Sequence, residues 1–397
     1  MNNPITKKKI AVFHPYLTRG GSEAVSLWTV AALKDNYSVI ITTVIPENKI
    51  DIADINKYYG TDLSEKDFLV IKTPLFLKFF KPDKLSSLRN RLAQRYCRKV
   101  AGQFDLIISS CNISSFEKRV IQVIGDFYFD ENVRYALDVL PTENKDWLRH
   151  NKIFLRKIYL KFCDLISPPL LDWSKDIIIS NSNWTKKMVL EKYGVDSLVV
   201  YPPVIGLTNY SEGLPFEKRE NGFVYIGRIA PEKNIEGIIR ILDKVRQMGN
   251  NIHLHIAGGL NNSPYANLIR NICSNRKDWI FLEGSLDKIE KNKLFAGHRF
   301  GISGRTNEPF GISVAEMAKS GCIVFVPNGG GQTEIVNATQ LIYENEHDAV
   351  EKINKVLNDK NMQIDLQKNL LKMSQRFSTE SFGQSMKNIV SKFFETA

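Results

Sequence analysis

Short apolar runs alternate along the chain with stretches whose apolar positions recur every three to four residues. Lys9–His14, Val39–Val44, Asp105–Ser109, Val120–Ile124 and Asp176–Ser180 read as strands. A second set reads the same way: Gly222–Gly227, Asn251–Ala257, Trp279–Leu282, Arg299–Ser303 and Cys322–Val326. Between them, Ser22–Lys34, Asn183–Tyr193, Asn234–Met248 and Ile312–Ser320 read as helices. The strand candidates are apolar nearly throughout, the pattern of strands covered on both faces. Strand–helix alternation predicts parallel sheets joined by crossover helices. The alternation occurs twice, on either side of Tyr201–Asn221, where Pro202, Pro203, Gly206, Gly213 and Pro215 supply turn chemistry without periodicity. A long helical region runs from His347 to Phe377, and a last helix covers Ser378–Phe394. The fold class is therefore α/β, with two doubly wound Rossmann-like domains facing across a cleft. The expected boundaries are a first domain over 1–200, a linker over 201–221, a second domain over 222–377 and a terminal helix over 378–397. Ligands of such sheets lie beyond the carboxyl ends of the strands, which makes the cleft the default site.

A length of 397 residues suits two domains of about 150–200 residues each. No apolar run reaches the roughly 18 residues of a membrane span. The apolar stretch Ile10–Phe13 is too short for a signal peptide and reads better as a first strand. Five scattered cysteines, odd in number and without a C-x-x-C, argue against a disulfide framework or a cysteine zinc site. They point to a reducing cytoplasm. The net charge of +11 is concentrated in two places. Lys72–Lys99 holds nine basic residues and one acid, and Lys145–Lys161 holds six and one, leaving the remainder close to neutral. Within 72–99, Leu75, Phe76, Leu77, Phe79 and Phe80 lie among the lysines. That mixture suits an anionic membrane surface, or else a solvated helix face and loop. No nucleic-acid-binding signature accompanies the charge, so nucleic acid is not an expected partner.

Four stretches carry candidate chemistry. Gly20 and Gly21, just before Ser22-Glu23, lie between the first strand and the first helix, where backbone N–H groups can approach an anion. The same glycines also suit a plain strand-to-helix turn. No G-x-G-x-x-G follows either domain's first strand, which counts against a nicotinamide or flavin enzyme, and no P-loop is present. Gly227-Arg228 and Glu232-Lys233 follow the first strand of the second domain, with Asn234 opening a helix. Two cations at a helix start suit a diphosphate, which arginine can grip bidentately. In Glu308-Pro309-Phe310-Gly311-Ile312, Pro309 fits a first helical position. Glu308 and Glu316 would then be separated by about 12 Å. That exceeds the roughly 5–5.5 Å or 6.5–9.5 Å of hydrolytic carboxylate pairs, so the two acids suit opposite ends of one extended ligand. Gly329-Gly330-Gly331 is a further glycine-rich turn after a strand. His253 and His255 share one face of a strand, and the sequence offers no evident third ligand. No D-x-D occurs, so no metal is expected on a donor diphosphate.

Taken together, these residues resemble the large retaining family of GT-B glycosyltransferases that use nucleotide-diphospho-sugars, family four, the glycosyl transferases group 1 type. The resemblance rests on Gly20-Gly21 near Glu23, Ser180-Asn181-Ser182-Asn183-Trp184-Thr185, Tyr201-Pro202-Pro203-Val204, Gly227-Arg228 with Glu232-Lys233, and the Glu308–Glu316 spacing. It implies that Arg228 and Lys233 bind the diphosphate of a UDP-sugar or GDP-sugar. Glu308 would hold sugar hydroxyls, and Glu316 would accept from the ribose. Backbone N–H groups near Phe310, Gly311 and Ile312 would contact sugar or phosphate. Gly20 and Gly21 would approach the diphosphate from the other domain. No cofactor or metal is implied, and the acceptor would be a saccharide, free or lipid-linked. The enzyme would be cytoplasmic, peripheral at the inner face of the membrane. Gly125-Asp126 stands where members often carry a histidine, so no general base is assigned. Two other functions suit the same architecture: an inactive subunit that binds a sugar nucleotide or a partner, and a sugar-nucleotide epimerase.

Overall fold

The structure is a computed structural model that describes residues 7–15, 17, 20–45, 51–72, 85–110, 113–138, 154–168, 173–205 and 214–396. These residues divide between two compact units. The first draws on Met1–Glu131, Leu148–Pro203 and Thr379–Ala397, the second on Asn132–Trp147 and Val204–Ser378.

The first unit is built on seven strands: β1 (Lys9–Phe13), β2 (Ser38–Ile45), β3 (Phe68–Lys72), β4 (Leu106–Ser109), β5 (Ile121–Ile124), β6 (Ile177–Ser180) and β7 (Leu198–Val199). Their order is β3-β2-β1-β4-β5-β6-β7, and every neighbouring pair is parallel. Ile10, Val12, Ile41, Leu106, Ile108 and Ile121 are fully buried, as expected of a sheet with helices on both faces. Helix Gly21–Leu33 follows β1 and buries Leu27, Val30 and Leu33. The last helix, Thr379–Glu395, packs against it; a Cβ at Gly383 would stand 3.3 Å from the Ala32 Cβ. Tyr37 meets Phe394 at 5.6 Å, and the Arg119 guanidinium lies 4.9 Å from the Phe393 ring.

Helix Ser86–Val100 contains the described part of the first basic stretch; residues 73–84 lie outside the described residues. It packs against helix Phe154–Ile166 through Leu88 and Cys163. Arg91 pairs with Asp164 at 2.7 Å, and Arg98 donates to Ser167 at 2.6 Å. Part of the positive charge therefore joins two helices, while Arg95 and Lys99 are exposed.

The second unit has six strands: β8 (Glu220–Ile226), β9 (His253–Ala257), β10 (Ile280–Gly284), β11 (His298–Ile302), β12 (Ile323–Pro327) and β13 (Ile342–Tyr343). Their order is β10-β9-β8-β11-β12-β13, again all parallel. The rings of Phe223, Phe300 and Phe325 pack together across β8, β11 and β12, with Phe223 and Phe300 at 5.1 Å. Helix Ile235–Gln247 turns Ile235, Ile238, Ile239, Ile241, Leu242 and Val245 inward, the stripe expected of an amphipathic helix. The helical region expected over 347–377 is two helices, Glu346–Leu357 and Lys360–Ser374. The chain breaks between them at Asp359, whose side chain caps the second by accepting from the Met362 N–H at 2.9 Å.

Both sheets have the doubly wound order in which the direction of winding reverses once, between β1 and β4 and between β8 and β11. These reversals leave crevices beyond the carboxyl ends of the strands. Helix Glu131–Leu137, from Asn132 onward, and Asp138 after it belong to the second unit, which differs from the boundary expected at residue 200. Asp138 pairs with Arg305 at 3.0 Å, and the Leu137 carbonyl accepts from Asn307 at 2.7 Å, which ties this piece to the second unit. Four cysteines, Cys97, Cys163, Cys273 and Cys322, are buried free thiols. No helix among the described residues is long and apolar enough to cross a membrane.

Candidate active site

In the second unit, β8 and β11 end on either side of the winding reversal. After β8, the Tyr225 hydroxyl donates to the Arg228 carbonyl at 3.0 Å and fixes the exit of the strand. One tight turn over Pro231–Lys233 leads to Asn234, which takes a left-handed conformation (φ 48°, ψ 49°). Its side chain accepts from the Gly237 N–H at 3.2 Å and caps helix Ile235–Gln247. After β11 comes Gly304-Arg305, the same glycine–arginine step that follows β8.

The two exits meet in one charge cluster. The Lys233 ammonium donates to Glu308 Oε2. Arg305 lies 3.5 Å from Glu308 Oε1 and reaches Asp138 with its other nitrogen at 3.0 Å. All four side chains are largely buried, Arg305 and Asp138 more than nine-tenths. Burial alone would raise the Glu308 pKa. Lys233, Arg305 and Arg228 outweigh it and bring the pKa down to about 2. Glu308 is therefore a fixed carboxylate at neutral pH. Arg228 is more open; its side chain is 61% exposed and its guanidinium lies 3.0 Å from Glu232.

The expected helix start at Pro309 is not what the chain does. Residues 308–311 form a loop, and helix Ile312–Lys319 begins after Gly311, which adopts φ 94°, ψ 65°. The Glu308 carbonyl is taken by the Gly331 N–H at 2.8 Å, so it is unavailable to a helical turn. The glycine-rich turn over 329–331 thereby acquires a role. A Cβ at Gly330 would stand 2.2 Å from the Glu308 carbonyl oxygen, so only glycine lets the two segments lie together. Buried Gln332 adds a bond to the Arg305 carbonyl at 2.6 Å. Phe310 is buried with its ring 5.3 Å from Phe377. The first N–H groups of the helix that Ile312 opens have no intrahelical partners, as at any helix start.

Glu316, one turn into that helix, pairs with Lys291 at 2.7 Å, and both are largely buried. Burial, with Lys291 beside it, lowers the Lys288 pKa. In the first unit, Gly20 precedes helix Gly21–Leu33. Its N–H donates to the Tyr59 hydroxyl at 2.9 Å, and a Cβ there would come within 2.7 Å of the Glu23 carboxylate. That contact is with the mobile end of the Glu23 side chain, and Gly20 has an extended backbone (φ -149°, ψ 178°), so the packing does not by itself require glycine at position 20. The Ser180–Thr185 segment is a network of its own. Ser182 caps helix Asn183–Tyr193, and Asn181 donates to the Gly125 carbonyl at 2.8 Å, fixing the chain beside Asp126.

The structure thus brings Lys233 and Glu308 into contact, with Arg228 close enough to act on Glu308, and it seats Glu316 on Lys291. Sequence reasoning missed Arg305, Asp138 and Lys291. The repeated Gly-Arg step after a strand was an available signal for Arg305; nothing local marks Asp138 or Lys291.

The profile of the glycosyl transferases group 1 family matches residues 208–373. That stretch is similar to the glycosyl transferases group 1 family. It contains Arg228, Lys233, Arg305, Glu308 and Glu316. A curated relative, the GDP-Man:Man(3)GlcNAc(2)-PP-Dol alpha-1,2-mannosyltransferase of Dictyostelium discoideum, is 24% identical over 266 residues. The match covers 62% of this chain and 52% of the relative, so the chain spans about half of that protein's length. Sucrose-phosphate synthase from Thermosynechococcus elongatus superposes with a TM-score of 0.70 at 15% identity, over 98% of this chain and 100% of its own. Anabaena HepE, solved with UDP and glucose, gives 0.66 at 15% identity, over 97% and 100%. The stretch matched by that profile and the sheet preceding it thus share the fold of GT-B glycosyltransferases.

Proposed function

We propose that this chain is a glycosyltransferase that moves a sugar from a nucleotide-diphospho-sugar to a saccharide acceptor, with retention at the anomeric carbon and without a metal on the donor. The observation that carries the reading is Glu308, held ionised between Lys233 and Arg305 at the winding reversal of the second unit. As the glycosidic bond stretches, negative charge grows on the departing diphosphate. Lys233 and Arg228 are the cations that stabilise it, taking the place a divalent ion would otherwise fill. Glu308 accepts from donor sugar hydroxyls, and its neighbours spare it protonation. Glu316, oriented by Lys291, accepts from the ribose. The N–H groups near Phe310, Gly311 and Ile312 add the helix start to the phosphate or sugar contact. The mannosyltransferase relative's name points to GDP-mannose as a donor, and Anabaena HepE has also been solved with UDP-glucose.

The test is thermal unfolding with GDP, UDP, GDP-mannose and UDP-glucose, followed by transfer to saccharide acceptors. A ligand of the folded state at 100 times its Kd stabilises by about 2.7 kcal/mol. A rise in midpoint with one nucleotide series and product from the matching donor is expected. No shift with any of the four would sink the reading. Binding without product would favour an inactive subunit, and donor conversion without acceptor would favour an epimerase.

The reading extends to peripheral attachment at an anionic membrane, with a lipid-linked acceptor. Its support is helix Phe154–Ile166, where Leu165 is 83% exposed, Phe154 74% and Leu155 73%, with Phe162 and Ile158 also exposed. At about 100° per residue these five fall within an arc of about 100°. Lys157 and Lys161 are exposed at its flank. An apolar stripe edged by lysines is the pattern of an interfacial helix.

A further inference from the structure

The second unit has a cluster of histidines that the transfer reaction leaves unused. His253 and His255 alternate along β9 and share a face. His298 opens β11, which lies on the far side of β8. Two strand spacings would ordinarily separate such side chains. Here Gly222 of β8 lies between them, and a Cβ at that position would stand 2.2 Å from His253 Nε2. Because glycine has no side chain, the His253 ring lies across β8 and reaches His298, Nε2 to Nε2, at 3.2 Å.

The outer nitrogens of two of the rings are already committed. His298 Nδ1 lies 2.7 Å from the Leu294 carbonyl. His255 Nδ1 lies 2.6 Å from the Glu283 carboxylate. Both partners can only accept, so in each ring Nδ1 carries the proton and Nε2 keeps its lone pair. A second ring nitrogen bonded to a carbonyl or carboxylate is the usual support of a metal-binding histidine. One ligand atom from each of the three histidines lies within 4.8 Å of the others. A tetrahedral zinc with bonds of about 2.0–2.1 Å needs its nitrogens about 3.3 Å apart, close to the His253–His298 separation. Glu220 supplies a carboxylate 3.4 Å from His253 Nε2.

We propose that His253, His255 and His298, with Glu220 as fourth ligand, form a binding site for a divalent transition ion, zinc in the first instance. The ion displaces the His253–His298 contact and ties together the starts of β8, β9 and β11. Imidazole donors suit zinc, copper and nickel over magnesium or calcium. The site lies where β8 and β11 begin, whereas Arg228, Lys233 and Glu308 follow the strand ends. It shares no residue with the donor site and does not depend on the transferase reading.

The whole chain, stripped with EDTA and dialysed, is titrated with zinc chloride by calorimetry and with cobalt chloride by visible absorption. One zinc per chain, a raised unfolding midpoint and the intense visible bands of tetrahedral cobalt are expected. His253→Ala should abolish that equivalent. Glu283→Gln, which keeps all three histidines, should weaken zinc by about 10–100-fold. It serves as the test if His253→Ala does not fold. No zinc-dependent shift in the wild-type chain, or unchanged stoichiometry and affinity in both variants, overturns the proposal. The midpoint shift with nucleoside diphosphates, measured on the same samples, reports on the donor site separately.

Discussion

Glu308 illustrates how little a residue's identity says until its neighbours are known. An acid before a Pro-Phe-Gly step is legible in the chain; its ionisation is set by Lys233 and Arg305, which arrive from different strand ends. The two cations proposed to bind the donor should respond differently to removal. Arg228 is mostly exposed, so Arg228→Ala should fold normally and lose about 10²–10³-fold in transfer rate at saturating donor. Lys233→Ala should lose comparable activity and also stability, because a buried carboxylate is left with one cation fewer; breaking such pairs costs about 3–5 kcal/mol. A denaturant titration of both variants beside the transfer assay separates the effects. An Arg228→Ala variant with full rate would remove the diphosphate role. The pH dependence has a definite sign. The folded pKa of Glu308, about 2, lies below the roughly 4.3 of an unfolded glutamate. The ionised form thus stabilises the fold fully above about pH 4.3, and this contribution is lost as pH falls toward 2. Denaturant midpoints measured from pH 6 to pH 3 should fall less steeply for Glu308→Gln than for the wild type.

At the scale of elements, periodicity located ten strands, because strands buried on both faces must be apolar throughout. The three it missed are β3, which ends in lysine, and β7 and β13, which have two residues each and leave almost no pattern. The basic stretch before residue 100 gave no decisive signal for a packed helix, since Leu88, Ala93 and Cys97 are interspersed with arginines. Periodicity placed a helix at Ile312–Ser320, close to the observed Ile312–Lys319, whereas Pro309 suggested a start three residues earlier; the long-range bond from Gly331 overrides local preference there. That contact makes the glycine-rich turn part of the site. Gly330→Ala forces a methyl against the Glu308 backbone at a position with φ 78°, and should destabilise by about 1–3 kcal/mol. Because the atoms displaced belong to Glu308, the transfer rate should fall further than the loss of folded protein accounts for. A kcat normalised to folded fraction that matches wild type would contradict this.

At the scale of the whole molecule, two sheets of one strand order repeat a single plan, and the last helix returns to the first of them. The exposed stripe on helix Phe154–Ile166 belongs to the first sheet's unit. Reversing Lys157 and Lys161 to glutamate should reduce binding to anionic vesicles by at least about tenfold, since each basic residue near such a surface contributes about 1 kcal/mol. Wild-type binding should weaken as salt is raised. Flotation with neutral and anionic vesicles at two ionic strengths checks both. Equal recovery of the two proteins under every condition would leave the stripe without a membrane role.

The sequence by itself determined the α/β class and the doubled alternation, and it singled out Arg228, Lys233, Glu308 and Glu316 as candidates, because hydrophobic periodicity and turn chemistry are local. Tertiary structure alone decided which charges neutralise which. Asp138 reaches Arg305 across 167 residues, Lys291 reaches Glu316 across 25, and His298 joins His253 only because β8 between them carries a glycine. Such pairings depend on strand order and on the absence of a side chain at one crossing. Electrostatic and coordination energies fall away over a few ångströms, so the chain's linear order cannot record them.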